Sequence, residues 1–119
     1  MKRLLAAFLL GLILLPVGEV VSQTKPKITF LELGSVGCIP CKKMVPVMKN
    51  IEKKYGDQVK VIFHDVRKEK QKAEQYNISV IPTQVFLDED GKEIHRHVGY
   101  YPEKEIDAFL QKRGLKART

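Results

Sequence analysis

The sequence predicts a single α/β domain with the element order βαβαββα. Three observations carry this prediction: a nearly continuous apolar run of strand length after Lys27, apolar residues at helical spacing after Ile39, and a turn signal at Gly91 between two β-rich segments. The 119 residues are 44% hydrophobic with 6 prolines and 8 glycines, so the chain can form one core and is too apolar for low-complexity disorder. Its 2 cysteines close at most one bridge, which excludes a disulfide-stapled mini-protein.

The N-terminal segment has the layout of a secretory signal. A positively charged start precedes the uncharged run Leu4–Leu15, which is shorter than the roughly 20 apolar residues that span a membrane. Short side chains at Val20 and Ser22 suit a signal-peptidase site, so we predict residues 1–22 as signal peptide and 23–119 as the mature domain. The alternative is an uncleaved anchor formed by the same run. Either prediction locates the domain in the periplasm or outside the cell.

The first strand and helix come next in the mature chain. Lys27–Leu33 is β-rich and, after Lys27, apolar except at Thr29 and Glu32, which predicts a central strand buried on both faces. From Ile39 to Tyr55 the apolar residues lie on one helical face, and Gly56 is expected to end the helix. A proline inside this helix is expected to kink it. The apolar face consists of Met44, Val47, Met48 and Ile51.

The middle of the chain is predicted to contain a strand and a polar helix. Val59–Val66 has strand composition, and Arg67–Tyr76 is predicted as a short helix that returns the chain to the sheet as a right-handed crossover. Asn77 fits the left-handed backbone position that ends a helix.

The last third predicts a hairpin and a closing helix. The strands Thr83–Leu87 and Glu93–Val98 flank an acidic turn that contains an Asp-Gly pair. The helix Pro102–Arg113 has acidic residues near its start and basic residues at its end, which matches the helix dipole, and Gly114 is predicted to stop it.

The chemistry of the sequence rests on Cys38-Ile39-Pro40-Cys41, at the junction of a turn and a helix. Unpaired N–H groups at a helix N-terminus stabilise a thiolate, and Lys42 and Lys43 add positive potential. Two intervening residues let the second thiol attack a mixed disulfide formed by the first, which is the arrangement for reversible thiol–disulfide exchange.

Other uses of the two cysteines stay open at this point. A purely structural disulfide is one, although so short a loop gains little entropy. A zinc or iron–sulfur centre needs about four ligands and would have to recruit His64, His95 or His97. We expect His95 and His97 to share one side of a solvated edge strand, and Met44 and Met48 to be core residues rather than copper ligands.

The stretch Leu31–Lys42, the segment Val80-Ile81-Pro82-Thr83 about forty residues later and Val98-Gly99 after the hairpin resemble the thioredoxin superfamily. The similarity extends over Ile28–Arg113 and is to small exported members. It implies a minimal thioredoxin fold, with a central four-stranded mixed sheet and helices on both faces. It also implies that the chain is an enzyme, a thiol–disulfide oxidoreductase.

The resemblance also implies roles for individual residues. Cys38 would be the exposed attacking thiol and Cys41 the buried resolving thiol. Pro82 would be a cis-proline whose loop lies beside the sulfurs and presents the backbone before it to an extended substrate. An ordinary trans proline at a strand start is the alternative. The residues expected to contact substrate are Gly37, Ile39, Pro40, Ile81, Thr83 and Gly99.

Glu32 occupies the position of the buried acid of thioredoxins. A carboxyl group in an apolar strand is expected to have a raised pKa and to exchange a proton with Cys41. The alternative is a strand-end carboxylate that reaches solvent. The sequence departs from the family at Gly37, where a tryptophan is usual, and at Phe63, where a lysine is common near the acid.

The function predicted is an exported reductase of protein disulfides. Ile39-Pro40 offers no side-chain hydrogen bond or charge to Cys38, which favours a reducing dithiol. The partners implied are a membrane thiol-electron transporter as donor and exported disulfide proteins as acceptors; we expect a monomer that binds no nucleic acid and uses no cofactor beyond the Cys38–Cys41 pair. The alternatives are a disulfide oxidase or isomerase using the same site, and a copper chaperone of the same fold.

Overall fold

The computed structural model describes residues 11–19 and 24–118. The predicted cleavage position at Val20 and Ser22 lies outside the described residues, so the division at residue 22 stays a prediction. Residues 11–19 have no regular secondary structure, and apolar side chains such as Leu12 and Val17 are exposed. Within the described ranges, no helix combines the length and the apolar character that crossing a membrane requires.

The order of elements confirms the predicted βαβαββα arrangement. A single turn of 3-10 helix, Gly56–Gln58, follows the first helix. The elements are β1 Ile28–Gly34, α1 Ile39–Tyr55, β2 Val59–Asp65, α2 Lys70–Gln75, β3 Thr83–Asp88, β4 Glu93–Val98 and α3 Glu103–Lys112.

The four strands form one mixed sheet in the order β2-β1-β3-β4, with β1 in the interior as predicted. Strand β1 is parallel to β2 and antiparallel to β3, which in turn is antiparallel to β4. The connection through α2 therefore joins antiparallel strands. Our description of it as a right-handed crossover was wrong, because that handedness rule applies to parallel strands; here the parallel crossover is the one through α1.

Helices cover both faces of the sheet. On one face, α1 and α3 pack through Met44, Ile51 and Ile106 against Phe30 and Phe86 of the sheet. On the other face, Leu31, Leu33 and Val85 pack against residues around α2, namely Val66, Tyr76 and Ile78. Because β1 is interior and covered on both sides, its residues are buried almost throughout, and it forms a rigid base for the loop that follows it.

The second helix is shorter than predicted. We expected it over Arg67–Tyr76, but it starts at Lys70. The reason is Asp65, whose carboxylate accepts a hydrogen bond from Arg67 N at 3.0 Å and whose carbonyl accepts one from Glu69 N at 2.8 Å. These bonds hold the chain in a turn before the helix begins. Asn77 has the predicted left-handed conformation, with φ of 52°.

Candidate active site

The two cysteines lie where β1 gives way to α1. Their sulfur atoms are joined in a disulfide, and their Cα atoms are 5.1 Å apart. Cys38 is the N-cap of α1: its backbone is extended and its sulfur accepts a hydrogen bond from Cys41 N at 3.3 Å. The chain enters this position through the turn Ser35–Gly37, closed by a hydrogen bond from Cys38 N to Ser35 O at 3.3 Å. The cap geometry aims the Cys41 N–H of the first turn at the first sulfur.

The two sulfurs differ in accessibility. Cys41 is 3% exposed, whereas Cys38 is half-buried and is followed by Ile39, which is 70% exposed. A partner protein therefore reaches Cys38 before Cys41. This difference fits the predicted order, in which Cys38 forms the mixed disulfide and Cys41 resolves it.

Gly34 is a residue of the site that the sequence analysis missed. A Cβ atom built on Gly34 would lie 2.9 Å from Cys41 Sγ, closer than real Cβ contacts, and 3.6 Å from Phe63 Cε2. The end of β1 can therefore pass beneath the buried sulfur because this residue has no side chain. The available signal was a glycine directly after the buried strand pattern; a glycine at such a place can mark a close approach of another group to the backbone.

Glu32 lies two residues before Gly34 on the same face of β1, which is the face that Cys41 packs against at Gly34. It is fully buried, so the alternative of a carboxylate that reaches solvent is wrong. Its two oxygens accept hydrogen bonds from Gln84 Nε2 at 3.2 and 3.3 Å. Burial raises the pKa of Glu32 to about 8, and the Gln84 hydrogen bond partly opposes that rise.

Pro82 is buried at the end of the sheet where β1 leads into the cysteine loop. The Ile81–Pro82 bond is cis, which confirms that prediction over the trans alternative. Strand β3 starts directly after it, and Thr83 pairs with Leu33 of β1, so the register brings Pro82 beside the end of β1 where the cysteine loop begins. Gly99 N donates to Pro82 O at 2.7 Å, which ties the loop after β4 to the same place.

The residues predicted to contact substrate differ in how accessible they are. Gly37 and Ile39 are exposed, while Pro40, Ile81 and Gly99 are half-buried. Thr83 is buried, and its hydroxyl donates to Val80 O at 2.6 Å, so it is the member of this set least accessible to a partner. Beside Cys41 an apolar groove of about 410 Å³ opens, lined mainly by Val36, Val45, Met48 and Phe63.

His95 and His97 share one side of β4, as predicted, but not as a solvated edge. His97 Nδ1 is 2.8 Å from Gln84 Oε1, and its ring stacks on Tyr101 with centroids 3.9 Å apart. His95 Nε2 is 3.0 Å from Tyr101 Oη. Both rings are half-buried on the face that α3 covers, because aromatic partners there exclude water. Among residues 11–19 and 24–118, no group of three or more His, Cys, Asp and Glu side chains could hold a metal ion.

Comparison with known proteins gives a consistent result. A family model described as a thioredoxin-like domain matches residues 17–114. The thioredoxin of Bacillus subtilis is 26% identical over 91 residues, which is 76% of this chain and 86% of that protein. Thioredoxin 1 of Synechococcus elongatus is 35% identical over 94 residues, or 79% of this chain and 85% of that protein.

Solved structures of similar proteins agree in fold. Thioredoxin NaTrxh of Nicotiana alata is 30% identical with a TM-score of 0.65, and the alignment covers 76% of each chain. The germline-specific thioredoxin Deadhead of Drosophila melanogaster is 27% identical with a TM-score of 0.67, covering 76% of this chain and 83% of that one. Over the aligned residues, both share the fold of this chain.

Proposed function

The chain belongs to the thioredoxin-like domain family and is a thiol–disulfide oxidoreductase, and from this premise we propose that it acts outside the cytosol as a reductase of protein disulfides. The observation that supports the proposal best is the asymmetric cysteine pair, with an accessible sulfur at the helix N-cap and a buried sulfur one turn behind it. An accessible first thiol and a shielded second thiol suit two successive attacks on sulfur.

The reaction begins with the reduced pair. The Cys38 thiolate attacks one sulfur of the substrate disulfide, whose S–S bond breaks as the bond from Cys38 forms, and the released substrate sulfur takes up a proton. Cys41 then loses its proton and attacks Cys38 Sγ. The mixed disulfide breaks as the Cys38–Cys41 bond forms, and the second substrate sulfur leaves as a thiolate that takes up a proton. Two electrons have passed to the substrate and the protein pair has been oxidised.

The second attack requires a proton acceptor because Cys41 is buried. Glu32 is on the face of β1 that meets Cys41, and its pKa of about 8 is close to the ordinary value of a thiol. A carboxyl group with this proton affinity exchanges a proton with a thiol at little cost in either direction. We assign Glu32 as the base that takes the Cys41 proton, directly or through a water molecule.

The reducing direction that we propose is supported by the lack of side-chain donors beside the Cys38 thiolate. Its sulfur accepts a hydrogen bond from the Cys41 N–H, and Ile39 and Pro40 have no side-chain donor to add. A less stabilised thiolate makes the reduced pair a better electron donor. A disulfide oxidase or isomerase would instead need a strongly stabilised thiolate.

Location and partners belong to the same proposal. The charged start and the run at 4–15 support export, with residues 1–22 as a cleaved signal or a retained anchor. In an oxidising compartment the pair has to be reduced again after each turnover, so a membrane thiol-electron transporter is the donor we propose. Exported proteins with disulfides are the acceptors, and the domain acts as a monomer.

The test is to trap the mixed disulfide. In Cys41→Ser, Cys38 is the one remaining cysteine of the chain, so a stable adduct with a disulfide substrate such as insulin must form there. We expect Cys41→Ser to accumulate this adduct and Cys38→Ser to form none, with insulin reduction lost in both. Insulin reduction by Cys38→Ser at the wild-type rate would contradict the proposal.

The direction is tested by equilibration with glutathione or dithiothreitol buffers. A midpoint near that of thioredoxin, about −270 mV, is the expected result. A midpoint near that of the strong periplasmic oxidant, about −120 mV, would reverse the assigned direction and favour the oxidase alternative. Tight Cu(I) binding without dithiol exchange would favour the copper chaperone.

A further inference from the structure

A continuous network of polar side chains runs across the sheet face that α1 and α3 cover, from β1 across β3 to β4. Glu32, Gln84 and His97 are neighbours in register on these three strands. Gln84 is fully buried and bonds both of its neighbours, donating to Glu32 at 3.2 and 3.3 Å and lying 2.8 Å from His97 Nδ1. This network connects Glu32, the buried acid of the site, to the half-buried side chain of His97 on the edge strand.

The hydrogen-bonding capacities of the three side chains fix the direction of each bond. Because the Gln84 amide nitrogen donates to the Glu32 carboxylate, its oxygen is the atom that faces His97. An amide oxygen only accepts, so His97 Nδ1 must carry the hydrogen and donate it. Neutral His97 in this tautomer and protonated His97 both have that hydrogen. His97 therefore holds the amide with its N–H₂ group toward Glu32 in either charge state.

The Glu32 end of this network lies on the side of the cysteines. Glu32 and Gly34 share one face of β1, and the space above Gly34 is occupied by Cys41 Sγ. The neighbour of Glu32 on β2 is Phe63, an apolar residue, so the polar contact of Glu32 comes from the β3 side. The Gln84 N–H₂ group is thus the donor that stabilises the charged form of the carboxylate.

Other ionisable groups face this network of side chains from the adjacent elements. Asp65 on β2 is the register partner of Gly34, and its carboxylate is engaged by Val36 N and Arg67 N. On the His97 side, the ring stacks on Tyr101, whose Oη contacts His95. Among the described residues, the ionisable groups around it include Cys41 from α1, Asp65 from β2, His95 from β4, Tyr101 from the loop after it and Glu105 from α3.

We propose that Gln84 and His97 are positioning residues for proton exchange between Glu32 and Cys41: His97 fixes the Gln84 amide, and the amide favours the charged form of Glu32. The inference rests on the proposed function, in which Glu32 takes the Cys41 proton. It assigns a role to two residues on β3 and β4, outside the cysteine loop, and it makes the edge strand part of the proton-handling machinery.

The direct test is a carbon-13 NMR titration of the Glu32 carboxyl group in the full chain, with Glu32→Gln identifying its signal. Loss of the donor in Gln84→Leu is expected to raise the titration midpoint by about one pH unit. His97→Phe keeps the stack on Tyr101 but lacks the donor, so its midpoint shifts in the same direction by less. His97→Asn restores a donor and is expected to return the midpoint toward wild type.

The matched control is His95→Phe. It makes the same replacement on the same strand and face and keeps a ring against Phe109, and the hydrogen bond of His95 goes to Tyr101 rather than to Gln84. We expect it to leave the Glu32 midpoint unchanged. A shift as large as that of His97→Phe would show a general aromatic effect and would overturn the proposal.

The pH profile of insulin reduction is the second readout, and its midpoint should move together with that of Glu32. If Gln84→Leu does not fold, the comparison of His97→Phe with His97→Asn carries the test. Unmoved midpoints in an active enzyme would overturn the positioning role while leaving the proposed function intact. If the variants shift the Glu32 midpoint but the wild-type protein does not reduce insulin, the positioning role is supported and the proposed function is contradicted.

Discussion

At the scale of single residues, the buried carboxyl group of Glu32 is the most unusual feature. It is fully buried in an apolar strand, with the amide of Gln84 as its polar contact. Burial disfavours the charged form of this group, which is why its pKa rises to about 8. The native protein therefore holds this proton over a pH range in which the unfolded chain has already released it.

The first prediction follows from this difference in proton binding. Because the folded-state pKa of Glu32 is above its ordinary value of 4.5, its contribution to stability is complete below pH 4.5 and is lost as the pH rises toward 8. In Glu32→Gln this loss is absent, so the variant should gain relative to wild type by about 1.4 kcal/mol per pH unit across that window. Urea unfolding of the two oxidised proteins at pH 5, 6, 7 and 8 measures the difference.

The oxidised form is the right one to use, because its cysteines do not titrate. The remaining ionisable groups are shared by both proteins and cancel in the comparison. A constant difference in unfolding free energy between pH 5 and pH 8 would contradict the assigned burial of Glu32.

Sequence reasoning identified some of the site residues and missed others for a physical reason. The cysteine pair and Pro82 stand out because each belongs to a local motif, and Glu32 because it is a charge in an apolar strand. Gln84 gives no such signal, since a glutamine in a strand is usually a solvent-facing residue. Its role depends on register between distant segments, and one-dimensional patterns do not supply that register.

At the scale of elements, α1 is joined to α3 by a polar cluster at the end opposite to the cysteines. The hydroxyl of buried Tyr55 donates to Asp107 Oδ1 at 2.9 Å, and Lys54 pairs with both Asp107 and Glu103. These carboxylates raise the pKa of Lys54, and Lys54 lowers that of Glu103. The Lys54 side chain is 36% exposed, so we expect its ion pairs to add little stability.

The second prediction separates the buried bond from the exposed pairs. Tyr55→Phe keeps the ring and removes the hydroxyl donor to Asp107, so it should lower the free energy of unfolding by about 1 kcal/mol. Lys54→Met, the matched variant on the preceding residue, should lower it by less than about 1 kcal/mol. Urea unfolding at pH 7 provides both values, and a larger loss in Lys54→Met than in Tyr55→Phe would refute this ranking.

The elements also show where boundaries can be read from sequence. Helix α1 has the predicted bounds, because its N-cap, apolar face and terminal glycine all agree. Helix α2 does not, because the Asp65 side chain competes for the backbone N–H groups that would have started it earlier. That competition is a local side-chain choice which apolar periodicity does not reveal.

At the scale of the whole molecule, oxidation state and folding are linked. If the pair is a reductant, its disulfide is favoured in the folded protein, and by the same cycle the oxidised protein is the more stable form. The third prediction is therefore that reduction lowers the unfolding midpoint in urea. About 30 mV of potential difference between folded and unfolded pairs corresponds to about 1.4 kcal/mol.

The measurement compares the oxidised protein with the protein kept reduced by excess dithiothreitol. The control is the double variant with Cys38→Ser and Cys41→Ser, because its stability should not respond to the reductant. A reduced protein more stable than the oxidised one would indicate an oxidant.

The topology was predictable at this scale, apart from one connection. Four strands and three helices follow from periodicity and turn residues, but the antiparallel placement of β3 beside β1 does not. Strand order depends on which faces pack best after the chain has collapsed. The resemblance to a known family supplied what periodicity could not.

The position of β2 at the rim of the sheet has a practical consequence for handling this protein. In the described part of the chain β1 is its sole neighbour, so its outer backbone groups are open to a strand from another molecule. Lys60 is exposed near the start of this edge strand, and its charge disfavours the pairing of two identical edges. Replacing that lysine by an apolar residue would invite fibrous aggregates on concentration, so a surface-engineering effort should leave it in place.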